Sequence, residues 1–233
     1  MDQMLLTLTQ GLPGLGLGLD EAICQRLSGF GHAMVKQNEV MNLTGITEDS
    51  AVAKMHLLDS LTVMCCAELK NKSLIDVGCG AGFPGVPLAI ANPEAKVTLL
   101  DSLGKRMKWL ESVLPQLGVD AECVTARAEE AVASRREQYD YATSRAVARL
   151  NILLELTAPY VKVGGAVLAM KGSAAREELA ECDNAIRKLG LKLEAVREFP
   201  IDGTAHAVIV LRKIKPTPAQ YPRRFAKIKQ NPL

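Results

Sequence analysis

Ile23, Leu27, Phe30 and Met34 fall on one stripe at steps of three and four, behind Asp20, which stands where a helix cap belongs. Thr47 precedes an acidic turn, Glu48 and Asp49, and "AVAKMHLLDSLTVMCCAEL" continues in helical period without a breaker. "NLTGIT" supplies a turn between the two. Residues 1–70 are therefore expected to form a helical cap, and "KNKS" at 70–73 a polar junction. Beyond it, short apolar runs alternate with longer periodic ones. "SLIDV", "AKVTLL", "AECVTA", "YDYATS" and "AVLAMK" are expected as five strands. Helices are expected after the glycines that follow the first strand, with Pro84 and Pro87 in the first turn and Pro93 past the end, and over "KRMKWLESVLPQL". Two more are expected over "NILLELTAPYVK", closed by Gly164 and Gly165, and over "AREELAECDNAIRKL", ending at Gly190. "KLEAVREF" and "HAVIVLRK" meet with no helix between them and should form an antiparallel edge pair. Such alternation predicts a doubly wound α/β sheet over residues 71–213, with residues 214–233 as a tail.

Composition narrows the setting. At 233 residues, 48% apolar and 23% charged, the chain can bury a sizeable core. No apolar stretch reaches the eighteen or so residues of a membrane span, and "GLPGLGLGL" is broken by Pro13 and glycines. The N-terminus lacks the basic-then-apolar order of a signal peptide. Six cysteines show no CxxC and no metal-ligand spacing, and there are only three histidines. Reduced thiols, a cytoplasmic location and no metal are the expectation. The net charge of +2 hides an asymmetry: after Asp202 there is no acid, while Arg212, Lys213, Lys215, Arg223, Arg224, Lys227 and Lys229 are basic. That ending is a candidate surface for a polyanion, and its prolines favour an extended arm that orders on its partner.

The chemistry concentrates in "LIDVGCGAGFPGVPLAI", residues 74–90. A glycine loop between the first strand and helix of a doubly wound sheet sits at its ligand-binding edge. The loop lacks the lysine and hydroxyl of a nucleoside-triphosphate site. Gly78, Gly80 and Gly82 are spaced more tightly than the dinucleotide fingerprint, Asp76 stands two residues before Gly78, and Asp101 ends the second strand. Asp101 can accept from both hydroxyls of a ribose. An acid beside the loop is tolerable for a ligand with no pyrophosphate. These features favour S-adenosylmethionine, with nicotinamide dinucleotides and a purely structural glycine turn as alternatives.

"NLTGIT", "HLLDSL", "LIDVGCGAGFPGVPLAI", "LLDSLGKRMKWLESV", "SRAVARL" and "LAMKG" occur in this order. From about residue 38 onward the chain resembles the bacterial 16S rRNA guanine-N7 methyltransferases called RsmG or GidB. "YPRR" matches the basic close of that family, whereas "FAKIKQNPL" and "GLPGLGLGL" depart from it. The resemblance implies a Rossmann-like methyltransferase sheet and methyl transfer from S-adenosylmethionine to N7 of guanine 527 in the 530 loop of 16S rRNA, within the small subunit or an assembly intermediate. It implies cofactor contacts from Gly78, Phe83, Asp101, Ser102, Leu103, Ala128, Glu129 and Arg145. Gly78 would give close backbone approach to the methionine end, Ala128 a main-chain donor to adenine, and Glu129 an acceptor for its amino group. Arg145, expected near the meeting point of substrate and cofactor, is the one catalytic candidate; its structural alternative is an ion pair with a loop acid.

His56 and Asp59 share a helix face, either docking the cap on the sheet or lying beside the target base. Lys105, Arg106 and Lys108 form either a solvated helix face or an rRNA phosphate contact. Guanine N7 has an in-plane lone pair and no proton to lose, so its methylation needs alignment more than acid–base help. The chain accordingly has no NPPY-type loop, and Cys79 lies within the cofactor loop itself. A small-molecule methyltransferase would leave the basic tail idle. A non-catalytic, cofactor-binding ribosome assembly factor would bind S-adenosylmethionine without transferring its methyl group.

Overall fold

The computed structural model describes residues 2–233. Helix α1 (Gln3–Gly11) begins at Asp2, whose carboxylate accepts from the Leu5 amide, and α2 (Glu21–Met41) at Asp20, which accepts from Ile23. Leu27, Phe30 and Met34 are buried as their stripe predicts, and Ile23 packs at the edge of the same core. Helix α1 falls within the expected helical cap, although no stripe or N-cap was assigned to it; Met4 and Leu8 are wholly buried. The third helical stretch is not one regular helix. Glu48, rather than Thr47, caps α3 (Asp49–Val52) by accepting from the Ser50 and Ala51 amides. A π-helical segment over Ala53–Leu58 follows, then α4 (Asp59–Leu61) and a 3-10 turn over Thr62–Cys65.

Seven strands form one sheet: β1 (Ser73–Val77), β2 (Lys96–Asp101), β3 (Ala121–Thr125), β4 (Tyr139–Arg145), β5 (Val161–Lys171), β6 (Leu191–Ile201) and β7 (Thr204–Lys213). Their order is β3-β2-β1-β4-β5-β7-β6. The first five are parallel, while β7 runs antiparallel to both β5 and β6, so the expected edge pair is present. The chain leaves β1 toward β2 and β3 on one side and returns to β4 and β5 on the other. The gap between the carboxyl ends of β1 and β4 is thus a topological switch point.

Helices α5 (Gly85–Ala91), α6 (Gly104–Val113), α7 (Ala128–Arg135), α8 (Leu150–Thr157), α9 (Ala175–Ala180) and α10 (Asp183–Lys188) complete the domain. Three expectations need correction. Helix α7 joins β3 to β4, where no helix is legible in the sequence. Helix α8 stops at Thr157, and Val161–Val163 belong to β5; Gly165 sits in that strand because a Cβ there would lie 2.3 Å from the Asp140 carbonyl oxygen. The single helix expected over 175–189 is broken at Glu181–Cys182, where the Cys182 thiol is buried and donates to the Glu178 carbonyl.

The tail is the largest departure. Residues 214–233 pack on the domain rather than extending from it, and α11 (Phe225–Gln230) forms despite the flanking prolines. Lys213 is fully buried; its ammonium donates to the Ala158 and Val161 carbonyls and to Thr217 Oγ1, and pairs with Glu137 at 3.2 Å. Arg223 reaches Glu155, a carboxylate with no exposed surface, and Arg136 donates to the Tyr221 carbonyl. Three of the seven cations that make the ending basic are therefore paired with acids of the domain, Arg212 with Glu194 among them.

Cap and sheet share one core, which runs from Met4 and Leu8 through Phe30 to Leu74, Leu99 and Leu168. Phe30 is its hinge: its ring lies 5.1 Å from Phe83 of the glycine loop and 6.2 Å from Trp109 of α6. Replacing Phe30 by Ala should cost about 3–5 kcal/mol of stability, measured by urea denaturation. A loss below about 1 kcal/mol would mean that the cap does not brace the loop through this ring.

Candidate active site

The glycine loop leaves β1 at Val77 and returns to helix at Gly85. Gly78, Gly80 and Gly82 all have positive φ (76°, 56° and 93°), so the loop coils through backbone conformations that L side chains resist. A Cβ on Gly78 would lie 2.4 Å from Val147 Cγ2, so the loop and the β4–α8 connection touch there. Above Gly80 the nearest atom would be Arg106 Nη1 at 3.7 Å, which leaves its backbone open to a ligand. Asp76 Oδ2 accepts from the Gly85 amide at 2.7 Å and holds the far end of the loop. Asp101 Oδ2 accepts from Gly80 N–H at 2.9 Å and its Oδ1 from Leu103 N–H at 2.8 Å. Each oxygen of Asp101 keeps a second lone pair for a ligand hydroxyl.

Around these residues lies a cavity of about 500 Å³. All eight residues expected at the cofactor, Gly78, Phe83, Asp101, Ser102, Leu103, Ala128, Glu129 and Arg145, line it. The sequence reading missed Thr44, Arg106, Val147 and Phe225 on the same wall. "NLTGIT" held the signal for Thr44, but it served only as a turn and a family motif with no site role for Thr44; Phe225 has no local signal at all. The cavity suits S-adenosylmethionine in kind: bare backbone, a ribose-competent carboxylate, and apolar surface from Phe83, Leu103 and Val147.

Arg145, at the end of β4, is the centre of a bonded network. Its Nη1 donates to the Met55 carbonyl at 2.9 Å and to Asp59 Oδ2 at 2.8 Å, while Nη2 faces His56 Nδ1 at 3.3 Å. His56 and Asp59 thus meet through Arg145 rather than bonding each other, and the ion pair is with a cap acid, not a loop acid. His206 of β7 adds its Nδ1 at 2.7 Å to Asp59 Oδ1. Burial raises the Asp59 pKa, but His206 and Arg145 outweigh it and hold the carboxyl below its usual range. Burial and then the Arg145 charge drive His56 down to about 4, so its imidazole is neutral at ordinary pH.

Because Arg145 has only donors to offer, His56 Nδ1 is the acceptor and its Nε2 carries the proton. That Nε2 donates to Thr44 Oγ1 at 2.9 Å, and the same oxygen accepts from Ile46 N–H at 3.0 Å. With both lone pairs engaged, the Thr44 hydroxyl is left as a donor at the cavity wall. The His56 ring stacks 4.9 Å from Phe83, and the Arg145 guanidinium lies 5.2 Å over the same ring. Ala146 follows Arg145 with φ of 57°, a turn uncommon for a residue with a side chain, and it aims Val147 at Gly78.

A second cavity, of about 540 Å³, adjoins the first and shares His56, Arg145, Ala146 and Val147 with it. Its other walls come from Asp59, His206, Lys171 and Glu178. Lys171 pairs with Glu178 at 2.8 Å and donates to the Ala148 carbonyl. Cys79 is unsuited to nucleophilic work, because burial pushes its thiol well above the ordinary value.

A family model described as rRNA small subunit methyltransferase G, GidB, matches residues 23–206. The chain belongs to this family. The ribosomal RNA small subunit methyltransferase G of Alkaliphilus metalliredigens is 43% identical over 234 residues, covering 98% of each chain. That of Acetivibrio thermocellus is 42% identical, covering 97% of this chain and 95% of its own. Among solved structures, M. jannaschii TYW2 in complex with AdoMet aligns with a TM-score of 0.55 at 16% identity, over 68% of this chain and 76% of its own. A variant of the 16S rRNA (adenine(1408)-N(1))-methyltransferase of Catenulisporales acidiphilia aligns at 0.53 and 19% identity, over 64% and 87%. At those identities the structural likeness speaks to fold alone, over about two thirds of the chain.

Asp76 supplies the test of loop electrostatics. It is wholly buried, and its Oδ1 has no partner. Burial, helped by Asp101, pushes its pKa up to about 7 against the pull of the Gly85 amide and Arg145. The unfolded chain releases this proton near pH 4, the folded one near 7. The stability carried by the protonated carboxyl is therefore full below about pH 4 and is lost as pH rises through 7. Asp76→Asn removes that titration. Its stability should fall less than that of the wild type between pH 4 and 7.5, the difference growing by about 1–3 kcal/mol in denaturant melts without ligand. A difference constant across that range would place the Asp76 proton elsewhere.

Proposed function

We propose that this protein transfers the methyl group of S-adenosylmethionine to N7 of a guanine in 16S rRNA, by resemblance guanine 527. The observation that carries the reading is the pair of adjoining cavities with Arg145 and His56 in their common wall. S-adenosylmethionine supplies an electrophilic methyl on its sulfonium. Gly78, Phe83, Asp101, Ser102, Leu103, Ala128 and Glu129 would hold that donor in the first cavity. The second would receive the base, entering so that N7 points across the seam.

The residues at the seam suit a nucleophile that loses no proton. His56 is neutral, its Nε2–H is donated to Thr44, and Arg145 Nη1 is engaged by Asp59 and Met55. None of them is a free base. What they would supply is alignment: Arg145 lines both cavities and keeps N–H groups beyond those bound to Asp59 and Met55, donors suited to guanine O6, the acceptor next to N7. An adenine would present an amino donor there and leave two donors opposed.

Arg224, Lys227 and Lys229 of the ending, and Lys105 and Lys108 of α6, stay exposed and suit phosphate contact. Lys213 and Arg223 do not, since internal acids hold them.

The decisive experiment incubates the protein with labelled S-adenosylmethionine and undermodified small subunits and maps the methylated base. N7-methylguanine is expected. Single-turnover transfer should be nearly flat between about pH 6.5 and 8.5, because attack by N7 loses no proton and needs no general base. A tenfold rise per pH unit would mean that a proton leaves in the slow step, and N7 would be the wrong atom. Cofactor binding with no methyl transfer to any RNA would favour the non-catalytic assembly factor.

A further inference from the structure

Phe225 is the only residue beyond Leu156 that lines the first cavity. It arrives from the far end of the chain, on the first turn of α11, which packs against α8. We infer that Phe225 is a cofactor-contacting residue, and that residues 214–233 are a strap whose task is to hold it on the cavity wall. This rests on the reading above that the cavity takes S-adenosylmethionine.

The strap is anchored on both sides of Phe225. Two residues before it, the Arg223 guanidinium meets Glu155 through Nε at 2.8 Å and Nη2 at 2.6 Å, and the Arg223 backbone amide donates to the same carboxylate at 2.8 Å. Glu155 has no exposed surface. A carboxylate buried to that degree is tolerated only while it is paired, so the strap is held down by the cost of uncovering it alone. The Arg223 guanidinium also lies 6.0 Å over the Tyr221 ring, and Tyr221 is itself buried. Three residues after Phe225, Ile228 is wholly buried on the same face of α11. Between these fixed points Phe225 alone is half-buried and turned to the cavity.

The pairing also reaches the cavity through the partner helix. Leu156, next to Glu155 on α8, lines the same wall. One ion pair therefore sets the positions of Leu156 and Phe225 together. A partly exposed ring on the wall of a ligand cavity gains burial only when the ligand is present. Covering such a ring strengthens binding by roughly 5–20-fold.

The test is calorimetry of S-adenosylmethionine binding to the full chain and to Phe225→Ala, Phe225→Tyr, Arg223→Gln and the double variant Arg223→Gln/Phe225→Ala. Phe225→Ala should weaken binding by about 5–20-fold with little change in Tm, and Phe225→Tyr should restore it to within about threefold. Arg223→Gln should weaken binding in the wild-type background but by less than about twofold once Phe225 is gone, since it acts through that ring. Wild-type affinity in Phe225→Ala would overturn the inference while leaving the cofactor reading intact. Independent, multiplying losses in the double variant would overturn the role of the strap. A wild-type chain that binds no S-adenosylmethionine would instead sink the cofactor reading on which the inference rests. The Phe225 variants carry the test even if Arg223→Gln fails to fold, because they leave the Glu155 pair untouched.

Discussion

The Asp59 carboxylate ties together three parts of the molecule that are distant in the chain. It lies in the cap, accepts from Arg145 at the end of β4, and accepts from His206 on the antiparallel strand β7. Only 7% of its side chain is exposed, so its charge has to be met inside the protein, and two cationic-capable groups meet it from either side. The carboxylate is a charged tie between the cap and the carboxyl edge of the sheet, beside the Arg145 bonds to the Met55 carbonyl and His56. Arg145 is oriented as a consequence, and through it His56, whose tautomer and stacking on Phe83 follow from the same geometry.

The irregular backbone of the site serves this arrangement. The π-helical segment over Ala53–Leu58 presents both the Met55 carbonyl and the His56 ring to Arg145. Such interruptions of helical period recur where side chains must point at a site. The left-handed turn at Ala146 and the three left-handed glycines of the loop bring the β1 and β4 crossovers into contact at Val147 and Gly78. The seam between the two cavities therefore combines the Ala146–Val147 turn with the side chains of His56 and Arg145.

The basic ending shows how far charge alone can mislead. Counted along the chain, seven cations after Asp202 look like one polyanion surface. In the fold, Lys213 satisfies Glu137 and three oxygen acceptors, Arg223 satisfies Glu155, and Arg212 chelates Glu194 at the sheet edge. The acids that neutralise them stand far back in the sequence, at 137, 155 and 194. No local window contains both halves of any such pair, except that β6 and β7 are neighbours.

What the sequence determined by itself is what depends on local period and local sterics. The stripe of α2 with its Asp20 cap, the parallel strands, the edge pair and the glycine loop all follow from spacing within a few residues. The grouping of Gly78, Phe83, Asp101, Ser102, Leu103, Ala128, Glu129 and Arg145 in one cavity was implied by the family resemblance rather than by spacing, and the convergence of strand ends at the carboxyl edge of a doubly wound sheet accounts for it. Tertiary structure decided the rest. Helix α8 yields to β5 at Val161 because pairing with β4 outweighs the apolar run that suggested helix. Helix α11 and the docking of Phe225 depend on a carboxylate seventy residues earlier, buried and needing a partner. Burial creates that need, and a sequence lists charges without saying which of them water will still reach.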